Sequence, residues 1–187
     1  MAESGTAAQQ VEILQRFVNA YADDLGVVGG ALGDASTPPP AQRLLIGALN
    51  YGLDMLDMFP DHYKGLGVAD DAIVRRLAAR LAVAAGATNE ALVTLAKEAD
   101  DVATVFGDLV APLEKLVGTF PEREVRGRTA DKILSHKDTL IMFDADVSRE
   151  AKRVTAAPID TAIESPERAI VELRKMIESA LKKAGIS

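Results

Sequence analysis

Residues 57–71, with the sequence DMFPDHYKGLGVADD, form an aspartate-rich bend between two apolar segments. The stretch holds one proline, two glycines and four aspartates, which are residue types that favour turns. A proline disfavours the helical conformation at the residue before it, so Pro60 is expected to end the helix that precedes the bend. The pattern predicts a helical hairpin over about residues 40–86, with this stretch as its turn.

The two arms of the hairpin are the apolar residues 41–59 and residues 70–86. In both arms, apolar side chains recur at steps of three and four residues, which indicates one buried helical face. Asp70 is expected to be the N-cap of the second arm, and Asp71 to place negative charge at the positive end of its dipole. Gly86 is a candidate for the end of this helix.

The same periodicity predicts further helices along the chain, over residues 7–25, 88–120, 129–135, 138–154 and 165–185. Residues 26–34, GVVGGALGD, are rich in glycine and are expected to be a flexible connector. The long segment 88–120 is expected to kink or break near Gly107 and Pro112. No segment shows the sustained alternation of a strand, so the expected fold is an all-α bundle of about six to seven helices.

Helix-capping residues and a linker suggest the domain organisation. Thr129 and Asp138 are expected to cap the helices that follow them, and Ser165 to cap the last helix. We expect a helical domain over residues 1–154, a linker over 155–165 and a carboxyl-terminal amphipathic helix over 166–187. The apolar stripe of this last helix consists of Ile170, Leu173, Ile177 and Leu181.

Composition limits the possible functions. The chain of 187 residues is 48% hydrophobic and contains no cysteine, which excludes disulfides, thiolate metal sites and cysteine nucleophiles. Its net charge of −7 is uneven, because residues 1–112 carry 15 acidic and 7 basic side chains. This acidic front half disfavours binding to nucleic acids and to anionic membranes. Neither a secretory signal nor a membrane-spanning run is evident, so a cytoplasmic location is expected.

The aspartates of the bend are open to two interpretations. In the first, Asp57, Asp61, Asp70 and Asp71 bind a divalent cation such as Mg²⁺ or Ca²⁺, which prefers carboxylate and carbonyl oxygens. Such an ion would activate water or hold a phosphate, and the chain would then be a cation-dependent hydrolase of a phosphorylated small molecule. The spacing does not match an EF-hand loop, which requires alternating oxygen ligands closed by a glutamate.

In the second interpretation, which we prefer, the carboxylates fasten the ends of the two helices. Asp57 would reach the free amides at the start of the second helix, and Asp61 would accept hydrogen bonds within its own turn. Arg75, one turn after Asp71, would neutralise that carboxylate. With no catalytic set evident, the sequence then favours a non-enzymatic helical module that binds another protein or itself through its amphipathic helices, without a cofactor.

The bend and its flanks resemble the bacterial YkvA-like family, a domain of unknown function. The family pattern is a helical tyrosine, an aspartate, a Pro-Asp pair, a glycine and an Asp-Asp pair at fixed spacing. It is matched by Tyr51, Asp57, Pro60-Asp61, Gly67 and Asp70-Asp71. The resemblance covers roughly residues 40–85 and implies a helical hairpin. The chain departs from the family at Met55 and Lys64, where relatives carry proline, and at His62 and Tyr63, where relatives carry apolar residues.

Overall fold

The computed structural model describes residues 6–54, 58, 68–156 and 165–186, and these residues form an all-α bundle. The described residues include two 3₁₀ turns, at Gly107–Leu109 and Phe120–Glu122. The α-helices are α1 (Ala7–Asn19), α2 (Tyr21–Gly33), α3 (Pro39–Tyr51), α4 (Ala69–Ala84), α5 (Glu90–Lys97), α6 (Ala99–Phe106), α7 (Val110–Thr119), α8 (Ala130–Ser135), α9 (Lys137–Ala156) and α10 (Pro166–Lys183). The all-α class is therefore confirmed, with more and shorter helices than the periodicity indicated.

Helix α4 is the centre of the bundle. Twelve of its 16 residues are buried, and it packs against α1, α2, α3, α5, α6 and α7. Small and aliphatic side chains on several sides, such as Ala72, Ile73 and Ala79, allow neighbouring helices to approach it from different directions. Because α4 is surrounded, even its charged residues in the first two turns lie in the interior. The central position of α4 accounts for the buried charged residues described below.

The expectation that residues 26–34 form a connector is wrong, because most of this stretch is the second half of α2. The predicted first helix instead divides near Ala20, which ends α1 and precedes α2. Glycine lowers helix propensity, but the buried face of α2 compensates through Leu25, Val28 and Ala31. Packing against the rest of the core thus overrides local propensity in this segment.

The first arm of the hairpin is shorter than expected. Helix α3 ends at Tyr51 with Gly52 as its C-cap, well before Pro60. The amides of Leu53 and Asp54 form turn-type hydrogen bonds to the carbonyls of Asn50 and Tyr51. A long-range ion pair of 2.6 Å joins Asp54, just beyond the helix end, to Arg123.

The second arm starts one residue earlier than expected, and its cap is different. Val68 occupies the N-cap position of α4, so the expectation that Asp70 is the N-cap is wrong. Asp70 and Asp71 lie within the first turn, where a negative charge still interacts favourably with the helix dipole. Their side chains accept hydrogen bonds from tyrosines of two other helices.

Residues 88–120 break as expected at Gly107, which has a positive φ of 55°. They also divide at Glu98, which separates α5 from α6 and was not anticipated. Pro112 does not break a helix, because it lies in the first turn of α7, where an amide donor is not needed.

Two of the predicted helix-end signals are confirmed. Gly86, with φ of 99°, follows α4 in a Schellman motif, in which the amide of Ala87 donates to the carbonyl of Ala82. The Thr129 side chain accepts a hydrogen bond from the amide of Lys132 and caps α8. The cap expected at Asp138 is wrong, since α9 already begins at Lys137.

The last helix packs on the bundle. Helix α10 contacts α1 and α7, and its four predicted stripe residues are all buried. Ser165 is at the N-cap position, but its side chain forms no capping hydrogen bond. Most of the predicted linker, residues 157–164, lies outside the described residues, so the division into a domain, a linker and a helix stays a prediction.

Within the described ranges, no helix has both the length and the apolar content needed to cross a bilayer.

Candidate functional site

Three carboxylates and two guanidinium groups are buried where the first two turns of α4 meet α1, α2 and α3. We call this set, which consists of Asp24, Asp70, Asp71, Arg75 and Arg76, the charged cluster. Each of the five residues is at most 5% exposed to solvent. Buried ions destabilise a fold unless they are paired and hydrogen-bonded, so the partners of each residue decide what the cluster does.

Asp70 bonds to the end of α3. The hydroxyl of Tyr51 donates a hydrogen bond of 2.6 Å to Oδ2 of Asp70. The amide of Met58 lies 2.6 Å from the Tyr51 hydroxyl oxygen and 3.1 Å from the same Asp70 oxygen. The Tyr51 ring stacks on Phe120 at a centroid distance of 4.7 Å, which fixes the direction of its hydroxyl. The contact therefore joins the two arms of the hairpin across their ends.

Asp71 bonds to the start of α2. The hydroxyl of Tyr21 donates a hydrogen bond of 2.8 Å to Oδ2 of Asp71, and the Arg75 guanidinium lies 3.5 Å from the same oxygen. The Arg75 guanidinium also covers the face of the Tyr21 ring, 3.8 Å from the centroid. The predicted neutralisation of Asp71 by Arg75 is confirmed. The additional contact with Tyr21 ties α4 to a helix 50 residues earlier in the chain.

Arg76 connects α4 to three other elements. It donates hydrogen bonds of 2.6 Å to Asp24 on α2 and 2.9 Å to Glu98, between α5 and α6. Its guanidinium lies 3.8 Å from the centroid of the Phe17 ring on α1. One buried cation thus holds four segments of the bundle in register.

Burial controls the acid–base behaviour of the cluster. It raises the pKa of the Tyr21 hydroxyl far above its usual range, and the adjacent Asp71 carboxylate adds to this increase while Arg75 opposes it. Burial, together with Asp70, likewise raises the pKa of Tyr51 well above normal. Burial also raises the pKa of Asp24, although the Arg76 charge opposes this shift. Both tyrosines therefore remain protonated donors at physiological pH.

Two glycines near the charged cluster lie so close to other residues that a side chain would not fit. A Cβ atom on Gly52 would lie 3.1 Å from both carboxylate oxygens of Asp71, so a side chain there would press on the carboxylate. A Cβ atom on Gly47 would lie 2.8 Å from the backbone nitrogen of Pro121, where the 3₁₀ turn at Phe120–Glu122 crosses α3. The close contact at Gly47 in turn places Phe120 against Tyr51.

The structure brings together only part of the predicted cation-binding set. Asp70 and Asp71 are described and are buried, whereas Asp57 and Asp61 lie outside the described residues. Among the residues that the structure does describe, no group of three or more histidine, aspartate or glutamate side chains is arranged to hold a metal ion. The four-residue cation site therefore stays a prediction.

The sequence interpretation did not anticipate that Tyr21, Asp24 and Arg76 belong to the site. Tyr21 falls within the apolar periodicity of residues 7–25, which indicated core packing and not a polar contact. Arg75 was the exception, since its spacing of four residues from Asp71 indicated the pair. The burial of Arg76 could have been inferred from its position in a helix with apolar residues on several sides.

No protein-family model, no curated protein and no solved structure matches the chain.

Proposed function

We propose that the protein is a non-enzymatic helical module that binds a protein, and that Asp70 and Asp71 serve as a structural clasp. The observation that carries this proposal is that each carboxylate accepts a hydrogen bond from a tyrosine of a different helix, in the interior of the bundle. Hydrogen bonds to a charged group contribute about 1.5–3 kcal/mol each. Carboxylates used in this way stabilise the arrangement of α2, α3 and α4.

The exposed apolar side chains of α9 support a binding role. Ile141 and Met142 are 56% and 64% exposed, and Leu134 and Leu140 lie nearby at 37% each. Large apolar side chains grouped on a surface are typical of sites that contact other proteins. The binding surface and the clasp are then separate parts of the molecule, and the clasp supplies the rigid scaffold.

The contact between Tyr51 and Asp70 also supports membership of the YkvA-like family, which we propose on the sequence pattern. Two positions of that pattern, the helical tyrosine and the first aspartate of the Asp-Asp pair, form a direct hydrogen bond in this chain. The pattern would then describe the hairpin clasp itself.

Calorimetric titration with Mg²⁺, Mn²⁺ and Ca²⁺ tests the proposal against the cation-dependent hydrolase. We expect no binding heat at millimolar metal, and a thermal midpoint for the chain that is the same with added Mg²⁺ or with chelator. The matched variant is Asp70→Asn, which should be less stable than the parent to the same degree under both conditions. Saturable metal binding that Asp70→Asn abolishes would overturn the clasp and favour the hydrolase.

A further inference from the structure

An open apolar groove runs between α2 and α9, with α3 as its floor. Its volume is about 620 Å³. The α2 wall includes four glycines, the floor includes Ile46 and Leu49, and the α9 wall includes Leu140 and Val147. Leu134 and Leu140, two of the exposed apolar residues, line the groove.

The glycines of α2 are unexplained by the packing of a single chain. Gly26, Gly29, Gly30 and Gly33 are exposed, and a Cβ atom at any of them would meet no atom within 4 Å. Glycine destabilises a helix relative to alanine, so four such residues lower the stability of α2 without a steric reason in the chain itself. Their small size becomes useful when a second helix approaches α2 closely.

The opposite edge of the groove has a complementary shape. Ile141, Ala145, Ser148 and Lys152 recur at helical spacing and therefore form one stripe along α9. Ser148 lines the groove, which places this stripe at its rim. A ridge led by the exposed Ile141 thus lies beside a wall of glycines. A surface that carries both a ridge and a matching recess is suited to contact with a second copy of itself.

The charges of the two edges are also complementary. Asp23 lies one turn before Gly26 on the exposed side of α2, and Lys152 lies at the end of the α9 stripe. Among residues 6–54, 68–156 and 165–186, neither forms an ion pair, whereas the neighbours Arg149 and Arg153 of Lys152 are both paired. Asp144 also lines the groove and is exposed at its edge.

We propose that this groove is the interface of a two-fold homodimer, in which the α9 stripe of each copy packs on the α2 glycines of the other. A two-fold axis along the groove brings the α2 edge of one copy against the α9 edge of the second, so that Asp23 faces Lys152 twice. An axis across the groove would instead pair the α2 edges of the two copies, and α2 carries no basic residue to face Asp23. This inference rests on the proposed function, since it names the protein that the module binds.

Sedimentation equilibrium of the full chain over a wide concentration range tests the dimer. We expect a reversible increase in mass from the 19.8 kDa of one chain to twice that value. Asp23→Lys and Lys152→Asp should each weaken association at least several-fold, and the double variant should restore it. A chain that stays monomeric at millimolar concentration, or single variants that associate as tightly as the parent, would overturn the proposal.

A pair of glycine variants separates association from folding. Gly30→Ala should raise the thermal midpoint of the dilute, monomeric chain and yet weaken association at least tenfold. The matched control is Gly118→Ala in α7, which is also helical and exposed, with no atom within 4 Å of an added Cβ. This control should raise the midpoint and leave association unchanged. Equal effects of the two variants on association would contradict the interface.

The two proposals fail separately. A monomeric chain would remove the homodimer and leave both the clasp and binding to a different protein in place. Metal binding that depends on Asp70 would remove the clasp, and the sedimentation result would be unaffected.

Discussion

The hydroxyl of Tyr51, the last residue of α3, donates a hydrogen bond of 2.6 Å to Asp70 in the first turn of α4. The next residue, Asp71, accepts an equivalent bond from Tyr21 at the first position of α2. Two adjacent carboxylates therefore point to two different helices. This divergence suits residues that join structural elements, because a shared ligand would require both carboxylates to converge.

Replacing Gly52 with alanine should destabilise the protein, because there is no room for an added atom next to Asp71. In Gly52→Ala, the new Cβ would lie 3.1 Å from both Asp71 oxygens and would displace the carboxylate from Tyr21 and Arg75. We expect a loss of about 1–3 kcal/mol in the free energy of unfolding, measured by urea denaturation. Gly118→Ala is the control and should be neutral or stabilising. A Gly52→Ala variant as stable as this control would show that the Asp71 contacts contribute little.

Breaking the ion pair of Arg76 and Asp24 should strongly destabilise the protein. Replacing both residues with apolar ones should destabilise it much less. Arg76→Met leaves the buried Asp24 carboxylate without its guanidinium, and we expect a loss of about 3–5 kcal/mol. The double variant Asp24→Leu/Arg76→Met removes both charges and should recover most of this loss, as judged by chemical denaturation. If the double variant were less stable than Arg76→Met, the pair would not be the source of the effect.

The ion pair of Arg128 and Asp146 should give the protein a measurable pH dependence. Burial tends to raise the pKa of Asp146, but the hydrogen bond and charge of Arg128 outweigh it and hold this pKa below the usual range. Because the folded-state pKa is lower than the unfolded one, the pair stabilises the protein above about pH 4 and ceases to do so as pH falls through the folded-state value.

The check is the difference in unfolding free energy between the parent and Asp146→Asn from pH 7 to pH 3. We expect a constant difference in favour of the parent near neutrality, and a decrease below about pH 4. A difference that stayed constant down to pH 3 would contradict the assigned shift.

Features of the fold that depend on neighbouring residues could be predicted from the sequence. The stripe of α10, the Thr129 cap and the Gly86 stop each depend on interactions within a few residues. The helical conformation of residues 26–33 could not be predicted, because it depends on core packing that outweighs the low helix propensity of glycine. The ion pair of Asp54, just beyond the end of α3, with Arg123 likewise could not be predicted, because the two residues are 69 positions apart.

The same distinction applies to the candidate site. The pair of Asp71 and Arg75 could be predicted from the sequence, because its spacing of four residues places both side chains on one side of a helix. The hydrogen bonds of Tyr21 to Asp71 and of Arg76 to Asp24 join residues about 50 positions apart. Such contacts follow from how the helices pack around α4, and no local pattern encodes them.

The central claim is that Asp70 acts by holding α3 to α4, and a double-mutant cycle on Tyr51 and Asp70 tests it most directly. The measurement is the free energy of unfolding of the parent, Tyr51→Phe, Asp70→Leu and the double variant, with chelator present. We expect each single variant to lose about 1.5–3 kcal/mol, and the double variant to lose clearly less than the sum. Strictly additive losses, or single variants as stable as the parent, would contradict the clasp.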